Sequence, residues 1–221
     1  MKIDKRKSYY LTIDTETANN IDCPIVFDIG GAIHDKKGNV LETFSFIVQE
    51  VFYEMPHLMS ECFYLVKIPY YNTQIYNKER TIKSWYEIKK HIDELCKKYK
   101  VKAIIAHNMK FDYRAINTTQ RYLTNSKYRY FFPYNIELWD TLNMAKSTIC
   151  NQKSYIKWCA KNGYLTKNGK PRATAEILYR YISNNNNFIE SHTGLEDVLI
   201  EKEIFSRCMA QHKKMRKKCW E

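Results

Sequence analysis

The chain lacks long apolar runs and any pattern of paired cysteines. No apolar run in its 221 residues approaches the ~18 that a membrane span requires, and residues 1–7 lack the apolar core of a signal peptide. Its 7 cysteines are an odd number with no C-x-x-C pair, which argues against a disulfide framework and a zinc knuckle. These absences predict a cytoplasmic protein with no membrane partner.

Internal repeats, linkers and composition boundaries are also absent. A chain of this length, with 44% hydrophobic and 27% charged residues, is able to form one sizeable core. We therefore expect one domain over residues 1–221, with its core at about residues 9–209 and a basic tail at residues 212–221.

Positive charge is the feature that the sequence has in excess. The net charge of +12 favours a polyanionic partner, and nucleic acid is the commonest one in a cytoplasm. Its 18 tyrosines offer flat faces for stacking on bases, although many such rings only pack in cores. The charge does not separate DNA from RNA, and a well-solvated surface is the alternative explanation for it.

Two acids end the first predicted strand. Tyr9–Ile13 is aromatic and β-branched, as in a buried strand, and it leads into Asp14-Thr15-Glu16. Alternate strand residues share a face, so Asp14 and Glu16 point the same way. A divalent cation is one means of neutralising two such carboxylates, and carboxylate oxygens suit Mg²⁺ or Mn²⁺. The alternative is a solvated strand end.

Strand-like segments predict the sheet. They lie at residues 9–13, 24–33, 40–48, 101–106 and 137–140. The first three are joined by short polar turns, which indicates an antiparallel meander, and the last two are separated by a helix, which indicates parallel strands. We expect an α/β fold: a mixed five-stranded sheet flanked by helices. The pair Gly30-Gly31 inside a strand predicts a bulge, or a close approach by substrate or by the first helix.

Helical spacing of apolar residues predicts the remaining elements. The expected helices cover residues 59–65, 81–99, 111–122, 141–148, 154–162, 173–183 and 196–211. Leu199 is one of the expected core positions of the last helix. Residues 66–79 are expected to be irregular, and residues 164–172 to form a basic hairpin.

Further polar residues follow the later predicted strands and precede the last helix. His107 and Asn108 end one strand, and Asp112 lies where the next helix begins, a position that the helix dipole also favours for an acid. His192 and Asp197 lie on either side of a loop-to-helix junction. Their spacing lets a mobile histidine lie over a cation held by Asp197, although a histidine here is also typical of an exposed helix cap.

Taken in order, these motifs resemble those of DnaQ-like 3′–5′ exonucleases of the DEDDh type, in the ribonuclease H-like superfamily. The three matching stretches are Asp14-Thr15-Glu16, Ala106 through Asp112, and His192 through Asp197. The third has Gly194 where alanine is usual and Val198 where a smaller residue is common. Residues 50–79 form a longer segment than minimal members carry, which bears on substrate choice.

The resemblance implies a ribonuclease H-like fold and removal of nucleotides from the 3′ end of single-stranded DNA or RNA. It implies two Mg²⁺ or Mn²⁺ ions held by Asp14, Glu16, Asp112 and Asp197, with Asp14 bridging them and Asp112 acting directly or through water. His192 is then the general base.

Substrate contacts are expected from several further residues. Those expected to touch the terminal nucleotide or the phosphates are Thr17, Asn108, Lys110, Arg114, Lys170 and Arg172. The basic tail is expected to extend this track or to be a solvated helix end. Behind the metal ligands, His107 is expected to support the site by packing, and Asp140 by tethering the helix that follows it.

Three other functions stay open at the level of sequence. The protein could be a proofreading subunit bound to a polymerase, an RNA-trimming or oligoribonuclease-type enzyme, or a nucleic-acid-binding protein without catalysis. Richness in Lys, Asn, Ile and Tyr is typical of an AT-rich bacterial or viral genome.

Overall fold

The computed structural model describes Asp4 and residues 6–124 and 130–220. The ends of the expected domain, residues 1–3 and Glu221, lie outside this part of the chain, as does Lys5. The strands are β1 (Tyr9–Ala18), β2 (Ile25–Asp35), β3 (Val40–Val48), β4 (Thr81–Lys83), β5 (Ala103–Ala106) and β6 (Glu137–Asp140). Together they form one sheet in the order β4-β3-β2-β1-β5-β6.

Helices lie between and after these strands. They are α1 (Gln49–Phe52), α2 (Pro56–Ser60), α3 (Ile68–Tyr76), α4 (Trp85–Tyr99), α5 (Met109–Thr124), α6 (Thr141–Ser147), α7 (Lys153–Lys161), α8 (Ala175–Ser183) and α9 (Gly194–Met209). Short 3₁₀ turns occur at Leu65–Lys67 and Ile149–Asn151. No helix among the described residues is both long and apolar enough to cross a membrane.

The direction of the strands sets where polar side chains gather. Strands β1 to β3 form the predicted antiparallel meander, while β5 and β6 run parallel to β1. Because parallel strands end on the same side of a sheet, the carboxyl ends of β1, β5 and β6 meet there. Glu16, His107 and Asp140 are all at that side.

Each face of the sheet is covered by its own apolar layer. Along β1, Leu11 and Ile13 belong to one buried cluster, together with residues of α4 and α5. Tyr10 belongs to the other, with residues of α6, α8 and α9. This alternation is the period of a strand buried on both faces. It puts the odd-numbered side chains of β1 toward α5 and the even-numbered ones toward α9.

The sheet has six strands where five were predicted. The additional strand, β4, pairs in parallel with the end of β3 in a stretch that was expected to begin a helix. Three residues are too few to show a strand period, so apolar spacing could not separate them from α4. The sequence does contain a signal for the start of α4, because Ser84 and Glu87 form a capping box.

Two other expectations were wrong. Residues 50–79 hold three helices and a 3₁₀ turn rather than one short helix followed by irregular chain. Leu199 is 40% exposed, because α9 turns its neighbours Val198 and Ile200 toward the sheet instead.

The basic tail does not end as a solvated helix. Residue Lys218 forms an isolated bridge with Trp139 of β6, and the amide of Cys219 donates to the carbonyl of Leu138. Cys219 is fully buried. The tail therefore covers the outer edge of the sheet beside β6.

Candidate active site

Three carboxylates converge between β1 and the start of α9. The even-numbered side chains of β1 face α9, so Asp14 and Glu16 meet Asp197 in the first turn of that helix. One oxygen from each of the three lies within 4.8 Å of the others. Asp197 is also oriented by its own loop, because it accepts hydrogen bonds from the Ser191 hydroxyl and the Thr193 amide, both at 3.1 Å.

Two glycines allow α9 to come this close to the sheet. A Cβ at Gly30 would lie 2.2 Å from the backbone carbonyl carbon of Gly194, and one at Gly194 would lie 2.6 Å from the amide nitrogen of Gly30. Neither position has room for a side chain. Of the alternatives predicted at Gly30, the structure has a close approach and not a bulge, but the last helix makes it rather than substrate or the first helix. The same contact leaves room only for glycine at 194.

Asp112 approaches the same site from the opposite face of the sheet. It lies in the first turn of α5, is buried, and accepts a hydrogen bond of 2.9 Å from the Thr15 hydroxyl. Thr15 points toward α5 because it is an odd-numbered residue of β1. Asp112 lies outside the compact group of three but is close enough to raise the pKa of Asp14.

The electrostatics of these acids are those of a site without enough positive charge. Burial raises the pKa of Asp14 well above its usual range, and Glu201, Asp112 and Glu16 raise it further. Burial followed by Asp28 and Asp197 raises the pKa of Glu16 to about 9. Burial also raises the pKa of Asp112 and of Asp197, each to about 7. Bound divalent cations would reverse these shifts.

Sequence reasoning missed Glu201, a further acid of the site. It lines the same cavity, and burial raises its pKa well above the usual range. One oxygen accepts the His107 amide at 3.0 Å. The signal was available, because Glu201 follows Asp197 by four residues and so lies one turn further along the same face of α9.

His192 lies in the loop before α9 and lines the cavity. Its backbone is in the left-handed region, with φ of 49°. Its ring stacks on Tyr64, with centroids 4.7 Å apart and planes 15° apart. Burial lowers the pKa of His192, and the nearby Lys67 lowers it further. The imidazole is therefore held neutral, as a proton acceptor has to be.

His107 and Asp140, which were predicted to support the site, form hydrogen bonds that connect neighbouring strands and helices. His107 contacts the Thr141 hydroxyl through Nδ1 at 2.9 Å and the Ala173 carbonyl through Nε2 at 2.8 Å. Asp140 caps α6 by accepting the Leu142 amide at 2.8 Å, and it accepts the Asn108 amide at 3.1 Å. These contacts join β5, β6 and α6 below the carboxylates.

The cavity above the carboxylates has a volume of about 920 Å³. Two of the predicted phosphate contacts, Lys170 and Arg172, line it, as do Lys146 and Lys167, which were not singled out. Asn108 also lines it. A cavity lined by both acids and cations suits a phosphate chain that carries a metal ion.

The other predicted substrate residues lie elsewhere. Thr17 lines a neighbouring cavity of about 590 Å³ that shares Glu16 and Tyr64 with the first. Arg114 is exposed and donates to the Ile21 carbonyl at 3.0 Å. Lys110 is exposed on the first turn of α5, outside the described lining of both cavities.

Comparisons with solved structures identify the fold. E. coli exonuclease I in a zinc-bound complex with single-stranded DNA superimposes with a TM-score of 0.54 at 14% identity, over 93% of this chain and 41% of that one. Cell-death related nuclease 4 superimposes with a TM-score of 0.54 at 10% identity, over 96% of this chain and 67% of that one. The fold is ribonuclease H-like, as predicted.

The likeness does not extend to sequence. The chain spans less than half of the exonuclease I chains that it matches. No family model and no curated protein matches the sequence.

Proposed function

We propose that this protein is a metal-dependent 3′–5′ exonuclease that acts on single-stranded DNA or RNA. The observation that carries the proposal is the meeting of Asp14, Glu16, Asp197 and His192 around one cavity, with Asp112 close enough behind them to raise the pKa of Asp14. These residues come from β1, α5, α9 and the loop before α9, and only the fold brings them together. The likeness to exonuclease I, one structure of which holds single-stranded DNA, supports the same activity.

The donor set fits divalent cations. Asp14, Glu16 and Asp197 offer hard oxygen atoms within 4.8 Å of one another, as Mg²⁺ and Mn²⁺ require. Burial and mutual repulsion raise their pKa values, so added positive charge stabilises them. Asp112 completes the set directly or through water. Two such ions, when bound, supply an activated water and stabilise the leaving 3′ oxygen.

His192 is the proton acceptor in this proposal. It lines the cavity beside Asp197, and its lowered pKa keeps the ring neutral near pH 7. A neutral imidazole accepts the proton of the attacking water. Glu201 and Asp140 instead hold the His107 and Asn108 amides, which keeps the end of β5 in register with the acids.

The cations of the cavity rim provide the grip on substrate. The side chains of Lys146, Lys167, Lys170 and Arg172 line the same cavity as the acids, where they would bind the phosphates of the strand. Thr17 and Asn108 would contact the terminal nucleotide.

The exposed tail residues Lys213 and Lys214 would extend the electrostatic track. The slope of log K for oligonucleotide binding against log salt concentration measures the number of phosphate contacts. Replacing both lysines by Gln should make this slope shallower by roughly 0.7 for each phosphate contact that is lost. An unchanged slope would assign the tail to packing alone.

A time course on 5′-labelled single-stranded DNA and RNA of one sequence tests the function. The expected result is a ladder that shortens from the 3′ end with Mg²⁺ or Mn²⁺, stops with EDTA and is absent for Asp14→Ala. The strand degraded faster identifies the preferred substrate. Absence of cleavage with either metal, while the protein still binds the strands, would contradict the proposal and favour a binding protein.

A further inference from the structure

Residues 64–80, here called the brace segment, touch the loop that carries His192. This segment is the second half of the helical insert between β3 and β4, and it includes helix α3. Residues 191–196, which are the end of the loop before α9 and the first three residues of that helix, are called the His192 loop. His192 itself has a left-handed backbone, a conformation that is unfavourable for a non-glycine residue and persists when surrounding contacts impose it.

Two side chains of the brace segment contact His192 or the backbone beside it. The Tyr64 ring stacks on the imidazole at 4.7 Å. The Lys67 ammonium lies over the Tyr64 ring, 4.7 Å from its centroid. It also donates to the carbonyls of Ser191 and, at 3.3 Å, of His192. His192 is thus held at its ring by Tyr64 and at its backbone by Lys67.

Two more side chains reach the far end of the same loop. The Arg80 guanidinium donates to Asp28 at 2.9 Å and to Glu196 at 2.7 Å. Asp28 also accepts the Tyr71 hydroxyl and the Gly194 amide, each at 2.9 Å. Arg80 and Asp28 are almost fully buried, so these bonds are shielded from competing water.

We propose that the brace segment is a positioning device for the proposed reaction. Tyr64, Lys67, Tyr71 and Arg80 all act on residues 191–196, directly or through Asp28, and that loop presents His192 and leads into Asp197. Holding a proton acceptor in one orientation raises the rate of a step without improving the binding of substrate. The proposal rests on the proposed exonuclease activity and assigns a role to the insert after β3.

Plain packing does not account for these contacts. The Tyr64 and Lys67 side chains are only half-buried, and the bonds from Lys67 go to backbone carbonyls rather than to a carboxylate. A second explanation is that Lys67 simply compensates the acids, since it lowers the pKa of Glu16 and Asp197. That explanation leaves the ring stack and the carbonyl bonds without a purpose.

The test compares Tyr64→Leu and Lys67→Met with conservative and control variants. Tyr64→Phe keeps the ring. Tyr76→Leu removes a tyrosine that belongs to the same segment but is 87% exposed, and Lys90→Met removes an exposed lysine of α4. For each full-length protein, kcat and KM are measured on labelled single-stranded DNA at saturating Mg²⁺. Amide hydrogen exchange is measured over residues 190–197 of the same proteins.

In Tyr64→Leu and Lys67→Met we expect kcat to fall about tenfold, equivalent to 1.4 kcal/mol of barrier, with KM changed less than about twofold. Amide exchange in the His192 loop should become faster. Tyr64→Phe, which keeps the ring, should recover most of the kcat lost in Tyr64→Leu, and both controls should behave like the wild type.

Three results would contradict the proposed role of the brace segment. The first is unchanged kcat and unchanged exchange in both variants. The second is a raised KM with constant kcat, which would make these residues substrate contacts. The third is tighter Mn²⁺ binding by Lys67→Met with unchanged exchange, which would make Lys67 only a compensating charge. A wild-type protein without activity would contradict the proposed function alone, because exchange still tests the brace.

Discussion

Two carboxylates that lie opposite each other in the sheet have different surroundings. Glu16 of β1 is paired with Asp28 of β2 in the ladder, and both side chains face α9. Asp28 accepts bonds from Arg80, Tyr71 and the Gly194 amide. Among the described residues no donor is bonded to Glu16, and burial, then Asp28 and Asp197, raise its pKa more than Lys67 lowers it.

The difference separates an acid that completes the fold from one that is left for a ligand. Burial raises the pKa of both carboxyls, but Arg80 opposes the shift at Asp28, so the Asp28 charge is balanced within the protein. Glu16 and Asp197 keep raised pKa values although Lys67 lowers both. Burial and neighbouring acids raise the pKa of Asp14. Such incompletely balanced carboxylates are typical of a site that binds cations.

The largest effect should come from the unbalanced group. Asp197→Asn removes one ligand charge, and we expect turnover to fall by roughly 1000-fold because bound metal supplies several kcal/mol of transition-state stabilisation. Oligonucleotide binding should change little. Labelled-strand cleavage and a filter-binding assay measure the two, with Glu203→Gln on the same helix as control. Wild-type turnover in Asp197→Asn would remove this residue from the site.

Breaking the balanced pair should mainly cost stability. Arg80→Met leaves Asp28 buried without its cation, so the free energy of unfolding should drop by about 3–5 kcal/mol. Urea denaturation measures it, and adding Asp28→Asn should recover part of the loss. Lys7→Met breaks a pair whose lysine is half exposed, and it should cost less than about 1 kcal/mol. Equal losses in the two single variants would contradict the distinction.

The two groups meet at Gly194, which donates to Asp28 and precedes Asp197. Gly194→Ala places a Cβ 2.6 Å from the Gly30 amide nitrogen, so α9 has to move away from the sheet. We expect a stability loss of about 1–3 kcal/mol together with weaker Mn²⁺ binding. Thermal unfolding and metal titration measure these. Alanine accommodated without either effect would show that the contact between β2 and α9 is loose.

The smallest effect concerns pH in the absence of metal. The pKa of Glu16 is raised from 4.5 to about 9, so the folded protein keeps a proton that the unfolded chain releases, and stability falls as pH rises through this window. Glu16→Gln should weaken this fall. The variant should be more stable than the wild type at pH 8 in EDTA, by about 1 kcal/mol or roughly 2–4 °C in Tm.

Thermal scans from pH 7 to pH 9 measure this difference. They avoid the titration of His34, whose pKa is lowered to about 4. Mn²⁺ should stabilise the wild type more than Glu16→Gln. A fall of equal slope in both proteins would show that Glu16 is not the titrating group.

Much of the fold could be predicted from local pattern. The bounds of β3 and β6 agree with those expected, because aromatic and β-branched runs between polar turns are unambiguous. The failures have a common cause, namely short or mixed signals. Three residues of β4 carry no period, and the prolines and scattered tyrosines of residues 50–79 hid the helix α3.

By itself, the sequence determined which acids share a face of β1 and which lie in the first turns of α5 and α9, since these positions follow from strand alternation and helix starts. Only the tertiary structure decided which buried acids have a cation. Arg80 reaches Asp28 over 52 residues, and Lys67 reaches the Ser191 carbonyl over 124. The brace segment becomes visible for the same reason. Electrostatic balance depends on distances in space, and local sequence patterns carry no information on contacts between distant segments.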